Sequence, residues 1–265
     1  MPSNAIDLDA LLRKTRAAAI KAGEIMFSDN ERPRRVKFKG RIDLVTETDL
    51  AVEQFLKQKL GNLLPEATFL AEESASGEEL SNLTWVIDPL DGTTNFAHGL
   101  PFVATSIGLW QEGRMVLAVI NCPFLNECFS ARLGGGAFCN DTAIGVSDAA
   151  SPESSLVATG FPYVFEGRHE LLMARLNRTL PLVQGVRRCG AAAIDLAFVA
   201  AGRFDAYYEG WLAPWDVAAG WLLVEEAGGR VSDLSGAPYH LRSQHILATN
   251  GRVHGAFVNL LGDLV

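Results

Sequence analysis

The chain has 265 residues, of which 48% are hydrophobic and 20% charged, and its formal net charge is −8. This is the composition of a globular protein with a sizeable core, and the acidic balance argues against nucleic acid as a partner, because phosphate backbones are bound through many basic contacts. No apolar stretch reaches the about 18 residues that a membrane span needs, no signal peptide opens the sequence, and the four cysteines form no C-x-x-C pair, so we expect a reduced protein in the cytoplasm.

The first half of the chain is predicted to contain two helices followed by strands. Apolar residues recur at helical spacing over residues 5–28 and again over residues 46–65, where Pro65 closes the second helix. Two short buried strands follow, in "ATFLAEES" and in "LTWVIDPLDG". Over residues 102–139, three strand-like runs separated by turn residues predict an antiparallel meander.

The second half has a different pattern, in which strands and helices alternate. Helices are predicted near 167–180, from about 191 to 201, over 216–227 and near 252–262. The strands among them are "SSLVATG", "DAYYE", "RVSDL" and "HILAT". We therefore predict an α+β half over residues 1–145 and an α/β half over residues 146–265, packed as one compact catalytic unit.

Four carboxylates stand out by their position in these elements. Glu72 ends "TFLAE", Asp88 ends "WVID", Asp91 follows across a turn that contains Pro89, and Asp216 lies in "APWDVAAG". If neighbouring strands carry the first two, both project beyond the carboxyl edge of a sheet, where α/β proteins bind ligands. Close carboxylates repel unless a cation lies among them, and oxygen donors without His or Cys suit Mg²⁺ or Mn²⁺ rather than zinc. Taken singly, D-P-x-D-G also fits an ordinary turn, and Asp216 also fits a helix N-cap.

The residues after Asp91 indicate a phosphate site next to these acids. Gly92, Thr93 and Thr94 place free backbone N–H groups at a predicted helix start, and such a start attracts anions through its unpaired donors and its dipole. An ordinary helix cap is the alternative for the threonines. The glycine-rich "LGGGAF" at 133–138 lacks the Lys-Ser/Thr of a P-loop, so it is interpreted as a hairpin turn.

Together, these motifs resemble those of the inositol monophosphatase family of Mg²⁺-dependent, lithium-sensitive phosphatases. "WVIDPLDGTTNF" is similar to the first family signature, "PWDVAAGWLLVEEAGG" to the second, and "DLVTETD" followed by "FLAEES" to the region upstream. The resemblance runs from about residue 7 to residue 260. It implies a layered αβαβα sandwich of the sugar-phosphatase type, usually assembled as a homodimer.

The resemblance also implies a role for each matching residue. The metal ligands would be Glu72, Asp88, the backbone carbonyl of Leu90, Asp91 and Asp216, around two or three Mg²⁺ ions that Mn²⁺ could replace. Glu72 and Thr93 would hold the attacking water, and Asp49 of "TETD" would orient Thr93. The substrate, a small phosphorylated polyol, would contact Asp91, Gly92, Thr93, Gly190, Ala192, Glu209 and Asp216. Position 191 departs from the family, because it is Ala where Ser or Thr often stands, and one side-chain hydrogen bond near the substrate is lost.

We therefore expect an Mg²⁺-dependent phosphomonoesterase that hydrolyses inositol 1-phosphate by direct in-line attack of a metal-activated water. Histidinol phosphate, fructose 1,6-bisphosphate and 3′-phosphoadenosine phosphates stay open as substrates, and a regulatory binding protein on this fold is a further alternative. A haloacid dehalogenase type of phosphatase needs Asp-x-Asp, whereas two residues separate Asp88 from Asp91. The basic segment 31–41 is either a solvated loop or one that brings Lys37 or Lys39 to the phosphate.

Overall fold

Two large β-sheets alternate with layers of helices in this computed structural model, which describes residues 6–30, 36–38, 44–75 and 80–265. The first layer holds the helices α1 (Leu8–Asn30) and α2 (Glu47–Leu63), which pack side by side, with the short antiparallel strands β1 (Val36–Phe38) and β2 (Leu44–Thr46) between them in sequence. Each helix buries one stripe of its surface, as an amphipathic helix should. The α2 stripe consists of Val52, Leu56 and Leu60.

The first sheet has seven strands in chain order and contains the predicted meander. The strands are β3 (Thr68–Ala71), β4 (Leu83–Asp91), β5 (Ala104–Gln111), β6 (Arg114–Cys122), β7 (Glu127–Arg132), β8 (Ala137–Cys139) and β9 (Thr142–Ile144), with a short helix α3 (Thr93–His98) between β4 and β5. The pair β3–β4 is parallel and every later pair is antiparallel. The glycines of "LGGGAF" lie in the turn that joins β7 to β8, so the hairpin interpretation is confirmed.

The second sheet has five strands in the order β11-β10-β12-β14-β13. In chain order this half comprises β10 (Leu156–Thr159), α4 (His169–Thr179), β11 (Gly185–Arg187), α5 (Ala192–Ala200), β12 (Ala206–Gly210), α6 (Pro214–Glu226), β13 (Arg230–Ser232), β14 (His245–Thr249) and α7 (His254–Leu261). The strands β10, β11 and β12 are parallel, but β14 runs antiparallel to both of its neighbours. This half is therefore a mixed sheet rather than the purely parallel sheet that alternation of strands and helices favours.

The helices α5 and α6 form the central layer and contact both sheets. Most residues of both helices are apolar and buried, which is the pattern of a helix that is covered on several sides. The pair α1 and α2 covers the other face of the first sheet, while α4 and α7 pack together, with α7 against the outer face of the second sheet. The predicted αβαβα sandwich is confirmed, and the predicted boundary between two halves near residue 145 stays a prediction. Within the described part of the chain, the helices lack the combined length and apolar character needed to cross a bilayer.

The close approach of α5 and α6 supports a prediction about stability. A Cβ atom added at Gly220 in α6 would lie 2.4 Å from Leu196 Cδ1 and 2.5 Å from Leu196 Cβ in α5. Because overpacking a dense core is costly, Gly220→Ala should lower the free energy of unfolding by about 1–3 kcal/mol in urea denaturation. Gly255→Ala is the matched control, since a Cβ there would meet nothing within 4 Å, and it should gain up to about 1 kcal/mol. An unchanged urea midpoint for Gly220→Ala would contradict this account of the central layer.

Candidate active site

A cleft of about 350 Å³ opens where the two sheets and the central helices meet. The carboxyl ends of β3, β4, β10 and β12 and the amino ends of α3, α5 and α6 contribute to its wall. Ten of the predicted site residues line it: Glu72, Asp88, Leu90, Asp91, Gly92, Thr93, Gly190, Ala192, Glu209 and Asp216. The remaining one, Asp49, lies behind Thr93 and contacts it. The predicted acids therefore line one cleft, and their roles there stay predictions.

The register of two parallel strands places Glu72 beside Asp88. The strand β3 pairs with β4 so that Ala71 lies opposite Ile87, and the next residue on each strand is the acid. The turn that carries Glu72 is anchored from α2, because the buried Glu53 carboxylate accepts a 2.8 Å hydrogen bond from the Glu73 backbone N–H. The two acids consequently leave the edge of the sheet side by side.

A break in the β4–β5 ladder brings Asp91 into the same cleft. Asp88 pairs with Ser106 and Asp91 with Ala104, and the register shifts between these two pairs. Within the bulge, the Asp88 side chain accepts a hydrogen bond of 3.0 Å from the backbone N–H of Leu90. Bulges of this kind redirect side chains next to functional sites. The proline of D-P-x-D-G thus lies in an irregular strand end rather than in a simple surface turn.

Asp216 enters the cleft from the first turn of α6. It is not the N-cap that one interpretation of the sequence offered, since the N-cap is Ala213. Its Oδ2 atom instead accepts a hydrogen bond of 2.7 Å from the Ala213 backbone N–H. One carboxylate oxygen therefore holds the start of the helix, and the residue as a whole lines the cleft.

The electrostatics of this acid cluster are unfavourable without a cation. Burial, followed by the charges of Glu72, Asp91 and Asp216, raises the pKa of Asp88 well above its ordinary range. Burial raises the pKa of Asp91 to about 7, with a further contribution from Glu72, although a 2.7 Å hydrogen bond from the Ala193 N–H opposes the shift. The pKa of Asp216 is also well above its ordinary range, because of burial and then the charge of Asp91. The folded chain therefore holds negative charge that a multivalent cation would neutralise.

The donor atoms in this cluster fit a hard divalent cation. Four carboxylates and the Leu90 carbonyl supply oxygen only, which matches the preference of Mg²⁺ and Mn²⁺. Among the residues that the structure describes, no three His, Cys, Asp or Glu side chains are already drawn together as a coordination group.

Thr93 and Asp49 form a buried polar pair beside the acids. The Thr93 hydroxyl lies 3.1 Å from Asp49 Oδ1 and 3.1 Å from the Leu90 carbonyl oxygen. Asp49 also accepts a 2.8 Å hydrogen bond from the Thr46 N–H, and burial raises its pKa while these hydrogen bonds oppose the shift. Gly92 precedes Thr93 with φ +88°, and a Cβ there would lie 2.6 Å from the Phe102 carbonyl oxygen, so only glycine fits.

Glu209 also lines the cleft, and neighbouring residues determine its position and its pKa. Its Oε2 atom accepts a hydrogen bond of 2.6 Å from the Tyr207 hydroxyl. Burial raises its pKa to about 7, against the opposing effects of Tyr207 and Arg188. A Cβ added at Gly160 would lie 1.9 Å from Glu209 Oε2, so a larger residue there would displace the Glu209 carboxylate.

Asn95 and Asp195 are among the side chains at the site that the sequence analysis missed. Asn95 of α3 donates through Nδ2 to the Cys189 carbonyl at 2.9 Å and to the Phe102 carbonyl at 2.8 Å, and so fastens the segment that carries Gly190. Asp195 lines the cleft from α5 and is buried, and within the described residues its Oδ1 atom has no hydrogen-bond partner. An acid inside the apolar run "AAAIDLAFVA" was the available signal for it. The alternatives for the segment 31–41, a solvated loop or one that brings Lys37 or Lys39 to the phosphate, concern side chains outside the described ones.

Comparison with known proteins places the chain in a family. It matches the model of the Inositol monophosphatase family over residues 7–264. It is 42% identical to "Inositol monophosphatase 2" of Solanum lycopersicum, over 93% of this chain and 96% of that protein, and 44% identical to "Nus factor SuhB" of Pseudomonas aeruginosa, over 92% and 93%. The solved structure of the extragenic suppressor protein SuhB from Bartonella henselae superposes with a TM-score of 0.90 at 39% identity, covering 95% of this chain and 98% of that one. Because the match spans nearly the whole chain, the protein belongs to the inositol monophosphatase family, a family of generally metal-dependent phosphatases.

Proposed function

We propose that the protein is an Mg²⁺-dependent phosphomonoesterase that hydrolyses inositol 1-phosphate to inositol and phosphate. The observation that carries this proposal is the convergence of Glu72, Asp88, Asp91 and Asp216 in one cleft, next to the Thr93–Asp49 pair. The relatives support the choice of substrate, since several of them are named inositol monophosphatases.

Charge in the cleft supports the proposed number of metal ions. The lining residues include six carboxylates and two guanidinium groups, an excess of four negative charges that two divalent ions would balance. Glu72, Asp88, the Leu90 carbonyl, Asp91 and Asp216 would hold the ions, and Mn²⁺ could replace Mg²⁺ in such an oxygen-only site. When bound, the metal supplies Lewis-acid stabilisation of the phosphate charge and a lowered pKa for water.

The side chains around Thr93 would orient the attacking water. Because the Thr93 hydroxyl donates its proton to Asp49 or to the Leu90 carbonyl, the lone pairs of its oxygen are left to accept a hydrogen bond from water. Glu72 would be the second acceptor for that water. The backbone N–H groups of Gly92 and Thr93 open α3 and would bind non-bridging oxygens of the phosphate. This arrangement favours direct in-line attack, without a covalent phospho-enzyme.

The polyol would occupy the part of the cleft around Glu209. The Glu209 carboxylate, fixed by Tyr207, would accept hydrogen bonds from hydroxyl groups, as would Asp91 and Asp216. The backbone at Gly190 and Ala192 would line one side of the ring. Ala191 offers no hydroxyl there, so histidinol phosphate, fructose 1,6-bisphosphate and 3′-phosphoadenosine phosphates are the competing substrates within the same chemistry.

Assembly as a homodimer in the cytoplasm is a further part of this proposal. Exposed apolar side chains next to the cleft, Tyr163, Val164 and Phe165, are the kind of surface that a partner subunit covers. A regulatory role is the second candidate function, because one relative at 44% identity is named a Nus factor.

A substrate panel tests the proposal directly. Phosphate release should be measured from inositol 1-phosphate, histidinol phosphate, fructose 1,6-bisphosphate and 3′-phosphoadenosine 5′-phosphate, each with and without Mg²⁺ and with added Li⁺. We expect the fastest turnover on inositol 1-phosphate, no turnover without the metal, and inhibition by Li⁺. If no ester is hydrolysed in the presence of Mg²⁺ or Mn²⁺, the proposed phosphatase activity is wrong, and the result favours the regulatory role.

A further inference from the structure

The residue that follows β12 has a backbone conformation that bulky side chains rarely adopt. Trp211 has φ +64°, in the left-handed region, and it lines the cleft, half-buried, two positions after Glu209. We propose that Trp211 is a specificity-determining residue, whose ring packs against the carbon ring of the leaving group and so favours esters of cyclic polyols over esters of open-chain polyols. This inference rests on the proposed phosphatase function and assigns a residue to the choice of leaving group.

The first observation is where this conformation occurs. The left-handed region is strained for a bulky side chain, whereas glycine adopts it freely and asparagine and aspartate adopt it with little cost. In the described part of the chain, the other non-glycine residues with positive φ are polar and lie in turns between neighbouring strands of the first sheet: Glu112, Asn126, Asn140 and Asp141. Trp211 instead stands at a strand end that opens on the cleft. Backbone strain of this kind is typical of functional sites, where the surrounding structure holds the residue in place.

The second observation is that contacts from several elements fix Trp211. Its backbone N–H donates a hydrogen bond of 2.6 Å to the Gln244 carbonyl, and its ring meets the His245 ring edge-to-face, with the centres 5.2 Å apart. The guanidinium groups of Arg168 and Arg175 lie 4.6 Å and 5.3 Å from the centre of the Trp211 ring, within the range of a cation–π interaction. The ring is therefore held in place before a ligand binds, which lowers the entropic cost of binding.

The third observation is that two neighbouring residues are suited to the packing around Trp211. A Cβ added at Gly210 would lie 2.5 Å from His245 Cδ2, so a larger residue there would displace the histidine ring that contacts Trp211. The Arg175 side chain is buried, and its Nε and Nη2 atoms donate hydrogen bonds of 2.9 Å and 2.6 Å to the Leu264 carbonyl. These bonds hold the guanidinium beside the tryptophan, so α4, β14 and the segment after α7 together determine where the ring lies.

The apolar surface around Trp211 identifies the class of leaving group. Phe161 and Leu212 also line the cleft, so apolar side chains accompany the Glu209 carboxylate at the proposed polyol position. A cyclic polyol has the complementary shape, because its carbon ring presents C–H groups on its faces while most of its hydroxyls point outward to hydrogen-bond partners. An open-chain polyol has the same groups without a flat carbon face, and it loses more conformational freedom when it binds. The tryptophan consequently favours the cyclic polyol.

A matched pair of substrates tests this inference, with the intact chain and saturating Mg²⁺. Inositol 1-phosphate and sorbitol 6-phosphate have the same numbers of carbons, free hydroxyls and phosphate groups, and only the first contains a carbon ring. In the wild-type protein, kcat/KM should be about 10-fold or more higher on inositol 1-phosphate. The two esters also differ in intrinsic reactivity, and this difference cancels when the ratio of the two kcat/KM values is compared between wild type and variants.

Variants at position 211 then assign the preference to the ring. Trp211→Gly and Trp211→Asn both remove the ring and introduce residues that tolerate positive φ, so we expect both to fold. In each, the ratio should fall about 10-fold, mainly through a higher KM for inositol 1-phosphate, because a buried apolar contact is lost. Trp211→Phe keeps an aromatic ring and should keep most of the ratio. Trp221→Leu is the matched control, since Trp221 of α6 is also half-buried but does not line the cleft, and it should keep the wild-type ratio.

Each outcome separates this inference from the function on which it rests. If inositol 1-phosphate is hydrolysed and the two ringless variants keep the wild-type ratio, Trp211 does not select the leaving group, and the phosphatase proposal stands. A wild-type protein that does not favour the cyclic ester would have the same meaning. If circular dichroism shows that neither ringless variant folds, Trp211 is retained for stability, and the inference is again refuted. If wild type hydrolyses neither ester, both proposals fail.

Discussion

Asp91→Asn will abolish nearly all phosphatase activity while the chain stays folded. Asp91 lines the cleft with the other acids, and burial, with the charges of Glu72 and Glu209, raises its pKa to about 7. If Asp91 is a metal ligand as proposed, removing its charge removes stabilisation of the phosphate charge that is worth several kcal/mol, so kcat should fall about 10³-fold or more. Asparagine keeps an oxygen that can accept the hydrogen bond from the Ala193 N–H, so the packing of α5 against β4 should survive.

Two measurements separate loss of the metal site from loss of the fold. Isothermal titration of Mn²⁺ should show weaker binding to Asp91→Asn, and circular dichroism should show an unchanged spectrum. Asp148→Asn removes a surface acid that is 90% exposed and lies outside the cleft, and it should leave turnover and metal binding as they are. Wild-type turnover in Asp91→Asn would remove this acid from the reaction and would overturn the proposed site.

Without metal, the protein should become less stable as the pH rises from 4 to 7. The pKa of Asp91 is about 7 in the folded chain against an ordinary value of 3.8, and that of Glu209 is about 7 against 4.5. Because these folded-state pKa values lie above the unfolded ones, the folded state binds protons more tightly than the unfolded state. Protonation of the two acids therefore stabilises the fold at low pH, and this stabilisation is lost as the pH rises from 4 to 7. The melting temperature of the chelator-treated protein at pH 8 should rise by about 5–10 °C in Asp91→Asn, and the two proteins should melt together near pH 4.

The comparison with the variant is needed because other groups titrate in the opposite sense. Burial lowers the pKa of His245 and of His254 to about 4, so their contribution is lost as the pH falls rather than as it rises. The difference between wild type and Asp91→Asn removes these shared contributions. Added Mg²⁺ should raise the wild-type melting temperature most at high pH, where the carboxylates are ionised. If the difference in melting temperature between wild type and Asp91→Asn does not vary with pH, ionisation of Asp91 does not destabilise the folded protein.

The layered fold could be predicted because most of its elements carry a clear period or clear boundaries. The α2 stripe of Val52, Leu56 and Leu60 has helical spacing, and the meander strands are separated by turn residues. The strands that escaped prediction, β1, β2, β8, β9 and β11, have three residues each, too few to show an alternating pattern. Whether β14 runs parallel or antiparallel to its neighbours depends on tertiary packing, which local sequence does not record.

The acids of the site could be predicted because they stand at strand ends and in two specific motifs. The residues that surround these acids could not be predicted, because they are brought there by contacts between distant segments of the chain. Tyr207 supports Glu209 only because alternate residues of β12 meet at the edge of the cleft. Asn95 looked like an ordinary residue of the first motif, and its role in holding the Cys189 carbonyl appears only when the two sheets are packed together.

The contacts that close the cleft join parts of the chain that are far apart in sequence. The bond from the Ala193 N–H to Asp91 spans 102 positions, and the bond from Asn95 to the Cys189 carbonyl spans 94. Contacts of such long separation form late in folding, and domains are made from the amino end during synthesis. A nascent chain that has been made only as far as α5 therefore carries three of the four acids proposed to bind the metal and lacks Asp216. The proposed metal site is therefore complete only after α6 has been made, so Mn²⁺ binding would report that the chain has folded as far as α6.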